Sequence, residues 1–267
     1  MSSDLLDAAD WNYGLSNVAF LGSSLSGEVV ESHGLHIASC GFRVRSFNFA
    51  WLRPPFADLE GSLRRAREYF GERELPFRFM VRNQFEWVCA AALRDAGLRE
   101  VARVPGMILD PIRDGAAPRA DLVVREVASE EDLVHYQETA FAGFGFPATS
   151  GQIFLTDRLL AMPNVRLYLG FVGDRPVCTS ALCATGPVAG IYWVATLPEF
   201  RGRGFGEAIT WSAVRGGTLL GCRFASLQAS AMGRPVYERM GFATPLHYAC
   251  FEGERGSSAG AASEVST

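Results

Sequence analysis

The chain contains no lysine: all 25 basic residues among its 267 are arginine. A Walker-type phosphate loop needs a lysine that reaches the β/γ-phosphates, so a P-loop ATPase or GTPase is excluded on residue type alone. The six cysteines, Cys40, Cys89, Cys178, Cys183, Cys222 and Cys250, form no C-x-x-C pair and no His/Cys grouping at zinc spacing. That scatter predicts a reduced interior and no metal site. A basic excess is lacking too: the formal net charge is −4 and the pI is near 5.7. A general nucleic-acid binder gathers positive charge on one face, so none is expected here. No apolar run approaches the roughly 18 residues of a membrane span. The first residues, with Asp4, Asp7 and Asp10, have neither the basic nor the apolar part of a secretory signal. Together these absences predict a cytoplasmic protein with no membrane partner.

What is present is enough apolar material, 48% of residues, to bury two modest cores. Asp110 to Asp121 holds two prolines, a glycine and small residues between apolar segments, as a linker does. The expected division is therefore an N-terminal α/β domain over 1–118 and a second domain over 119–253. Residues 254–267, rich in Ser, Ala and Gly, read as a disordered tail, and residues 1 to about 20 read as polar and irregular. After the linker, 122–127 reads as a strand. Ser129 then offers an N-cap with acidic residues behind it, opening a helix to about Phe141. A second helix is expected over 152–161, then a hairpin over 165–184, a strand over 191–197, a helix over 204–220, a strand over 224–229, a helix over 235–240 and a strand over 247–251. The order predicts an α/β (α+β) fold, a mixed sheet flanked by helices.

The most informative segment is Arg201-Gly-Arg-Gly204-Phe-Gly206, between a strand end and a helix start. Glycines let the backbone approach a ligand and adopt φ > 0, so successive N–H groups at the positive end of a helix converge on an anion. The spacing G-x-G-x-G is not the G-x-G-x-x-G of a dinucleotide fold. A second segment follows in order, Leu227 to Phe242, ending Tyr237-Glu-Arg-Met-Gly241-Phe242. Gly241 suits a left-handed position closing a helix.

These two segments resemble the GNAT acyltransferase superfamily, whose R/Q-x-x-G-x-G/A signature the first fits at every fixed position. The resemblance implies a GNAT-like mixed sheet and acetyl-CoA as co-substrate. It assigns Val194, Ala195 and Thr196 to the strand that pairs with the pantetheine arm. Arg201, Gly202, Arg203, Gly204, Phe205, Gly206 and Glu207 would surround the pyrophosphate, and Ser230 stands where many members carry a cofactor-binding asparagine. Tyr237 would be the general acid, a phenol near 10 serving a leaving thiol near 8.5.

No carboxylate lies on Gly190-Ile-Tyr-Trp-Val194, where many relatives place a base, so the base is unassigned; Glu138, His135 and Glu199 are candidates. Phe141-Ala-Gly-Phe-Gly-Phe-Pro147, with Tyr192 and Trp193, reads as an apolar wall of the acceptor pocket. In the first half, Ala92-Leu-Arg-Asp-Ala-Gly97-Leu98 is similar to the tyrosine segment with Leu93 at the tyrosine position. That half resembles a degenerate GNAT half, as in tandem acyltransferases; an unrelated α/β domain is the alternative. The expected activity is acetyl transfer to the primary amine of a small molecule, by direct attack in a ternary complex. The alternatives are a non-catalytic acyl-CoA sensor and a protein N-acetyltransferase. Oligomerisation is compatible with the sequence.

Overall fold

The computed structural model describes residues 2–53, 58–113, 115 and 117–253; the tail expected at 254–267 lies outside the described residues. The chain opens with α1 (Ser3–Gly22), the hairpin β1 (Glu28–Ser32) and β2 (Leu35–Ser39), and β3 (Asn48–Leu52). It continues through α2 (Leu59–Glu72), β4 (Arg78–Arg82), α3 (Glu86–Asp95) and β5 (Leu98–Leu109). After the linker come β6 (Val123–Glu126), α4 (Glu130–Gly143), α5 (Gly151–Phe154), β7 (Val165–Val172), β8 (Arg175–Thr185) and β9 (Val188–Thr196). Then follow α6 (Phe205–Leu219), β10 (Phe224–Gln228), α7 (Arg234–Arg239) and β11 (Ala243–Gly253). All eleven strands join one mixed sheet in the order β1-β2-β3-β4-β11-β5-β10-β9-β8-β7-β6.

That order contains a repeat. A hairpin leads to a strand, a helix, a parallel neighbour, a short helix and a long last strand, first as β1-β2-β3-α2-β4-α3-β5 and again as β7-β8-β9-α6-β10-α7-β11. The pairs β3/β4 and β9/β10 are both parallel. Each short helix ends on a left-handed glycine, Gly97 at φ 77° and Gly241 at φ 95°. At the second of these the Phe242 N–H reaches back to the Tyr237 carbonyl (3.0 Å), closing the helix as such a glycine allows. The two last strands are exchanged: β5 lies against β10, β11 lies against β4, and β5 and β11 pair with each other. The linker at 110–121 thus separates the repeats in sequence, while their sheet is continuous.

Residues 3–22 are helical, which corrects the irregular N-terminus expected from sequence. Polar and apolar residues share the buried side of α1, among them Ala9, Asp10, Asn12, Ser16, Phe20 and Leu21. The polarity contrast that marks an amphipathic helix is therefore missing. Asn12 donates to the Cys183 carbonyl and to Thr185 Oγ1 (both 2.8 Å), and Trp11 lies 5.7 Å from Trp51. One helix thus bridges strands from both halves. Gly14 allows the approach, since a Cβ there would stand 2.4 Å from the Trp51 ring.

The helix expected over 152–161 is also corrected. It stops at Phe154 and a single 3-10 turn follows at Asp157–Leu159. Gln137 donates to the Leu155 carbonyl and Thr156 donates to the Ser23 carbonyl (2.5 Å), which draws this backbone toward neighbours and away from helical pairing. α4 begins as the sequence predicts, with Ser129 Oγ accepting from the Asp132 N–H (3.1 Å).

Candidate functional site

The parallel pair β9/β10 is in register only at Phe224↔Val188, Ala225↔Ala189 and Ser226↔Gly190. β9 runs six residues further, so the sheet splits beyond Gly190. A bulge then marks β9: its register with β8 shifts between Thr179 and Ala181, and Trp193 takes φ 51°. The bulge turns Tyr192 and Trp193 toward the same core while Val194 packs on the opposite one. Past it, Leu197 N–H donates to the Val177 carbonyl (2.9 Å). By strand alternation the amides of Val194 and Thr196 therefore face away from β8, into the split. Ala195 packs instead against the end of α4, where a Cβ on Gly143 would stand 2.8 Å from its methyl group.

At the mouth of the split, the chain turns through Pro198–Phe200 into the N-terminus of α6. Gly202 (φ 73°) and Gly204 (φ 81°) are left-handed, and Phe205 and Gly206 open the helix. A Cβ on Gly206 would meet nothing closer than Thr196 Oγ1 at 3.5 Å. The space over the first turn of α6 is therefore open, and backbone N–H groups face it at the positive helix end. Arg201 does not point there: its guanidinium donates to the carbonyls of Thr196 (3.1 Å) and Gly143 (2.7 Å), tying β9 to α4. Arg203 stands over Phe205 (4.7 Å) and Phe200 (5.5 Å). Glu207 lies in the first turn of α6.

Two residues at this site were missed from sequence. Arg119, in the linker, stands over Phe205 (5.4 Å), pairs with Asp121 (2.9 Å), and holds Nη1 3.2 Å from where a Gly204 Cβ would be. Only the fold brings the linker there. Thr210 donates to the Gly206 carbonyl (2.7 Å) and its hydroxyl faces the Tyr237 phenol. The i, i+4 spacing from Gly206 was a usable signal for Thr210.

Tyr237 is 7% exposed, packed against Phe242 at 5.9 Å. Burial pushes its phenol up to about 12, opposed in part by Thr210. Ser230 is engaged locally, its hydroxyl accepting from the Gly233 N–H (3.0 Å) at the turn into α7. Glu199 pairs with Arg175, and its own backbone N–H together with that arginine holds its carboxyl below the usual range. His135 and Glu138 are half-buried on α4.

The aromatic residues expected to line a pocket pack on each other instead. Phe141 is fully buried, stacked at 5.2 Å on Phe154 and 5.6 Å on Trp193, and Phe47 from the first half stacks on Trp193 at 5.9 Å. The segment is core that joins the two halves. At the equivalent place in the first half, next to the β3/β4 pair, the Arg82 side chain is 1% exposed and faces Asp7 (2.5 Å) and Asp10 (3.9 Å). Leu93 is fully buried. Among the described residues no group of three or more His, Cys, Asp or Glu could hold a metal, and no helix is long and apolar enough to cross a membrane.

Residues 133–242, which contain this geometry, match the acetyltransferase (GNAT) family. Residues 133–242 thus form a GNAT acetyltransferase domain. That segment holds the split strands, the glycine turn and Tyr237, and the family is one of acyltransferases. No curated protein matches the sequence. Among solved structures, a GCN5-related N-acetyltransferase from Kribbella flavida is 20% identical, covers 93% of this chain and 96% of its own, and superposes with a TM-score of 0.69. One from Sphaerobacter thermophilus is 17% identical over 82% of this chain and 76% of its own, with a TM-score of 0.61. A tandem GNAT protein from the clavulanic acid biosynthesis pathway is 14% identical over 96% of this chain and 97% of its own, with a TM-score of 0.62. At these identities the likeness is one of fold, and in the tandem protein it spans the GNAT domain and the half that precedes it.

Proposed function

We propose that the chain transfers an acetyl group from acetyl-CoA to the primary amine of a small molecule, by direct attack within a ternary complex. The observation that carries this reading is the pair of left-handed glycines before α6, at the mouth of the β9/β10 split. The residues fit an acyl-CoA in two respects. A pyrophosphate needs backbone N–H groups with no Cβ above them, and Gly202, Gly204 and Gly206 provide that opening, flanked by the guanidinium groups of Arg203 and Arg119. An extended pantetheine arm needs unpaired strand amides, and Val194 and Thr196 turn theirs into the split.

The co-substrate supplies an activated acyl carbon. The chain's own groups do the rest. The strand amides beside the split hold the carbonyl oxygen as it gains negative charge, at no cost in reorganisation because the sheet already fixes them. Tyr237, held beside the first turns of α6 by Thr210, donates its O–H to the departing sulfur. As the C–N bond forms and the C–S bond breaks, the attacking nitrogen releases its surplus proton to solvent water and the leaving thiolate takes one up, so the exchange conserves protons.

The experiment is a thiol-release assay with acetyl-CoA across a panel of primary amines, paired with calorimetry for CoA. Binding with amine-dependent thiol release supports the reading. Binding without release for any small amine or peptide would point to a sensor instead.

A further inference from the structure

The face of the split turned toward α1 carries an unusual concentration of unsatisfied polar groups. Both amide atoms of Gln228 and the Ser226 hydroxyl are buried with no hydrogen-bond partner among the described residues, and the Tyr248 phenol beside them has the Asp10 carboxyl as its partner. Tyr248 and Ser226 are fully buried and Asp10 nearly so. Polar atoms buried in this way are rare because each forfeits its hydration, and several on one face require a reason.

Strand geometry places them together. Ala225, Leu227 and Ala229 pack in the core that holds Tyr237, so Ser226 and Gln228 project from the opposite face of β10. Phe224, two residues before Ser226, packs with Ala9 of α1 and marks that face. Ser226 is the last β10 residue in register with β9, so Gln228 stands where the sheet opens. Gln228 is paired across β5 with Gly106, and the Tyr248 ring lies over Gly106, 3.0 Å from where its Cβ would be. The Tyr248 phenol faces Asp10, whose carboxyl is pushed up to about 6 by burial, with Arg82 opposing. Beside them Tyr192 donates to Asn12 Oδ1 (2.6 Å) on α1. The split therefore has two unlike faces: glycines, cationic side chains and Tyr237 on one, and a row of polar groups under α1 on the other.

We propose that Gln228, Ser226 and Tyr248 form the acceptor subsite, and that it selects an amine bearing a hydroxyl or amide group over a hydrocarbon amine of the same size. The inference rests on the acetyltransfer reading above and deepens it. A ligand hydroxyl or amide supplies the missing partners of Gln228 and Ser226, whereas a hydrocarbon leaves them buried and unsatisfied. A site of this kind rejects the analogue that lacks the polar group far more strongly than an apolar pocket rejects an extra methylene.

The test uses the full chain and two matched pairs: ethanolamine against n-propylamine, and tyramine against 2-phenylethylamine. The thiol-release kcat/KM should favour the hydroxylated member of at least one pair by roughly 10-fold or more. Gln228→Leu should reduce that preference to within about 3-fold, by raising the KM of the hydroxylated amine, while CoA affinity by calorimetry stays unchanged. Its Tm should not fall, because an unpaired amide has been replaced by an apolar group of similar size. Should Gln228→Leu fail to fold, Ser226→Ala provides the same readout. Equal rates within both pairs, a preference for the hydrocarbon members, or a preference that survives in both variants overturns the subsite. CoA binding with no turnover of any of the four amines overturns it as well. Absence of CoA binding in the native protein instead overturns the acetyltransfer reading on which it rests.

Discussion

Replacing Tyr237 by Phe removes one hydroxyl from a ring that is otherwise held by Phe242 and by close contact with Gly233. The structural loss is the interaction with Thr210, about 1 kcal/mol, so the variant folds. The glycine turn at 202–206 is untouched, so CoA affinity should match the native protein. The chemical loss is larger. A phenol raised to about 12 is a weaker acid than a thiol near ~8.5, so complete proton transfer to the thiolate is uphill, and Tyr237 acts first as a hydrogen-bond donor to the sulfur. That places the expected loss of kcat at roughly 10²-fold, the lower end of general acid catalysis, or about 2.7 kcal/mol of barrier. The raised phenol also fixes the sign of the pH dependence. The group stays protonated from neutral pH to about pH 10, and catalysis that depends on it is lost only as the pH climbs toward its folded value. kcat should therefore rise as the amine deprotonates, with no descending limb below about pH 10. Single-turnover rates and a pH profile for native and Tyr237→Phe enzyme measure both effects. An unchanged chemical rate, or a descending limb well below pH 10 that vanishes in Tyr237→Phe, would falsify the assignment.

Gly206→Val, where a Cβ has ordinary room against the protein, should keep the native Tm and lose CoA binding in calorimetry; Gly204→Ala adds a left-handed strain of about 1–2 kcal/mol, visible as a lowered Tm. One mole of CoA should bind per chain, because the first half presents Arg82 with Asp10 where the second presents an open split; a measured ratio of two refutes this. Burial raises Asp10 to about 6 from an unfolded value of 3.8, so its contribution favours the fold below about pH 4 and is lost as the pH rises through about 6. Thermal melts of Asp10→Asn should accordingly show a gain over the native protein that grows between pH 4 and pH 6.5. A chain beginning at Arg119 lacks β5 and α1; it should melt far below the full protein or fail to fold, and a stable, CoA-binding fragment would refute the interlocked sheet.

The legible parts of this chain were those whose chemistry is local. The glycine turn announced itself because glycine alone adopts φ near 73° and 81° without steric cost, and Gly202 and Gly204 stand two residues apart before a helix. Ser129 declared a helix start, and Gly97 and Gly241 declared two helix ends, for equally local reasons. α1 escaped because its buried side carries Asp10, Asn12 and Ser16, and the partners of Asn12 lie on β8, up to 173 residues away. The motif position of Arg201 implies a cofactor contact, yet its guanidinium satisfies the carbonyls of Thr196 and Gly143. An arginine's charge is visible in sequence, while the acceptors it satisfies are not. Three phenylalanines in a glycine-rich loop suggest an exposed pocket wall, yet Phe141 is fully buried. Its partners Phe47 and Phe154, which fill that space, come from other segments.

The exchange of β5 and β11 gives the first half a physical role that does not depend on any ligand of its own. Without β5, the inner edge of β10 would expose unpaired N–H and C=O groups beside the split, and β11 would lose the neighbour with which it is in register from Gly253↔Leu98 to Ala243↔Ile108. The same half contributes α1, whose Asn12 closes over Gly190 so tightly that a Cβ there would stand 2.0 Å from Asn12 Oδ1. Gly190 is the residue after which β9 and β10 part. The point of parting is thus clamped by a strand on one side and a helix above, both drawn from the first half. A half that carries no such glycine turn, with Leu93 buried on its short helix, still determines where the split in the other half begins.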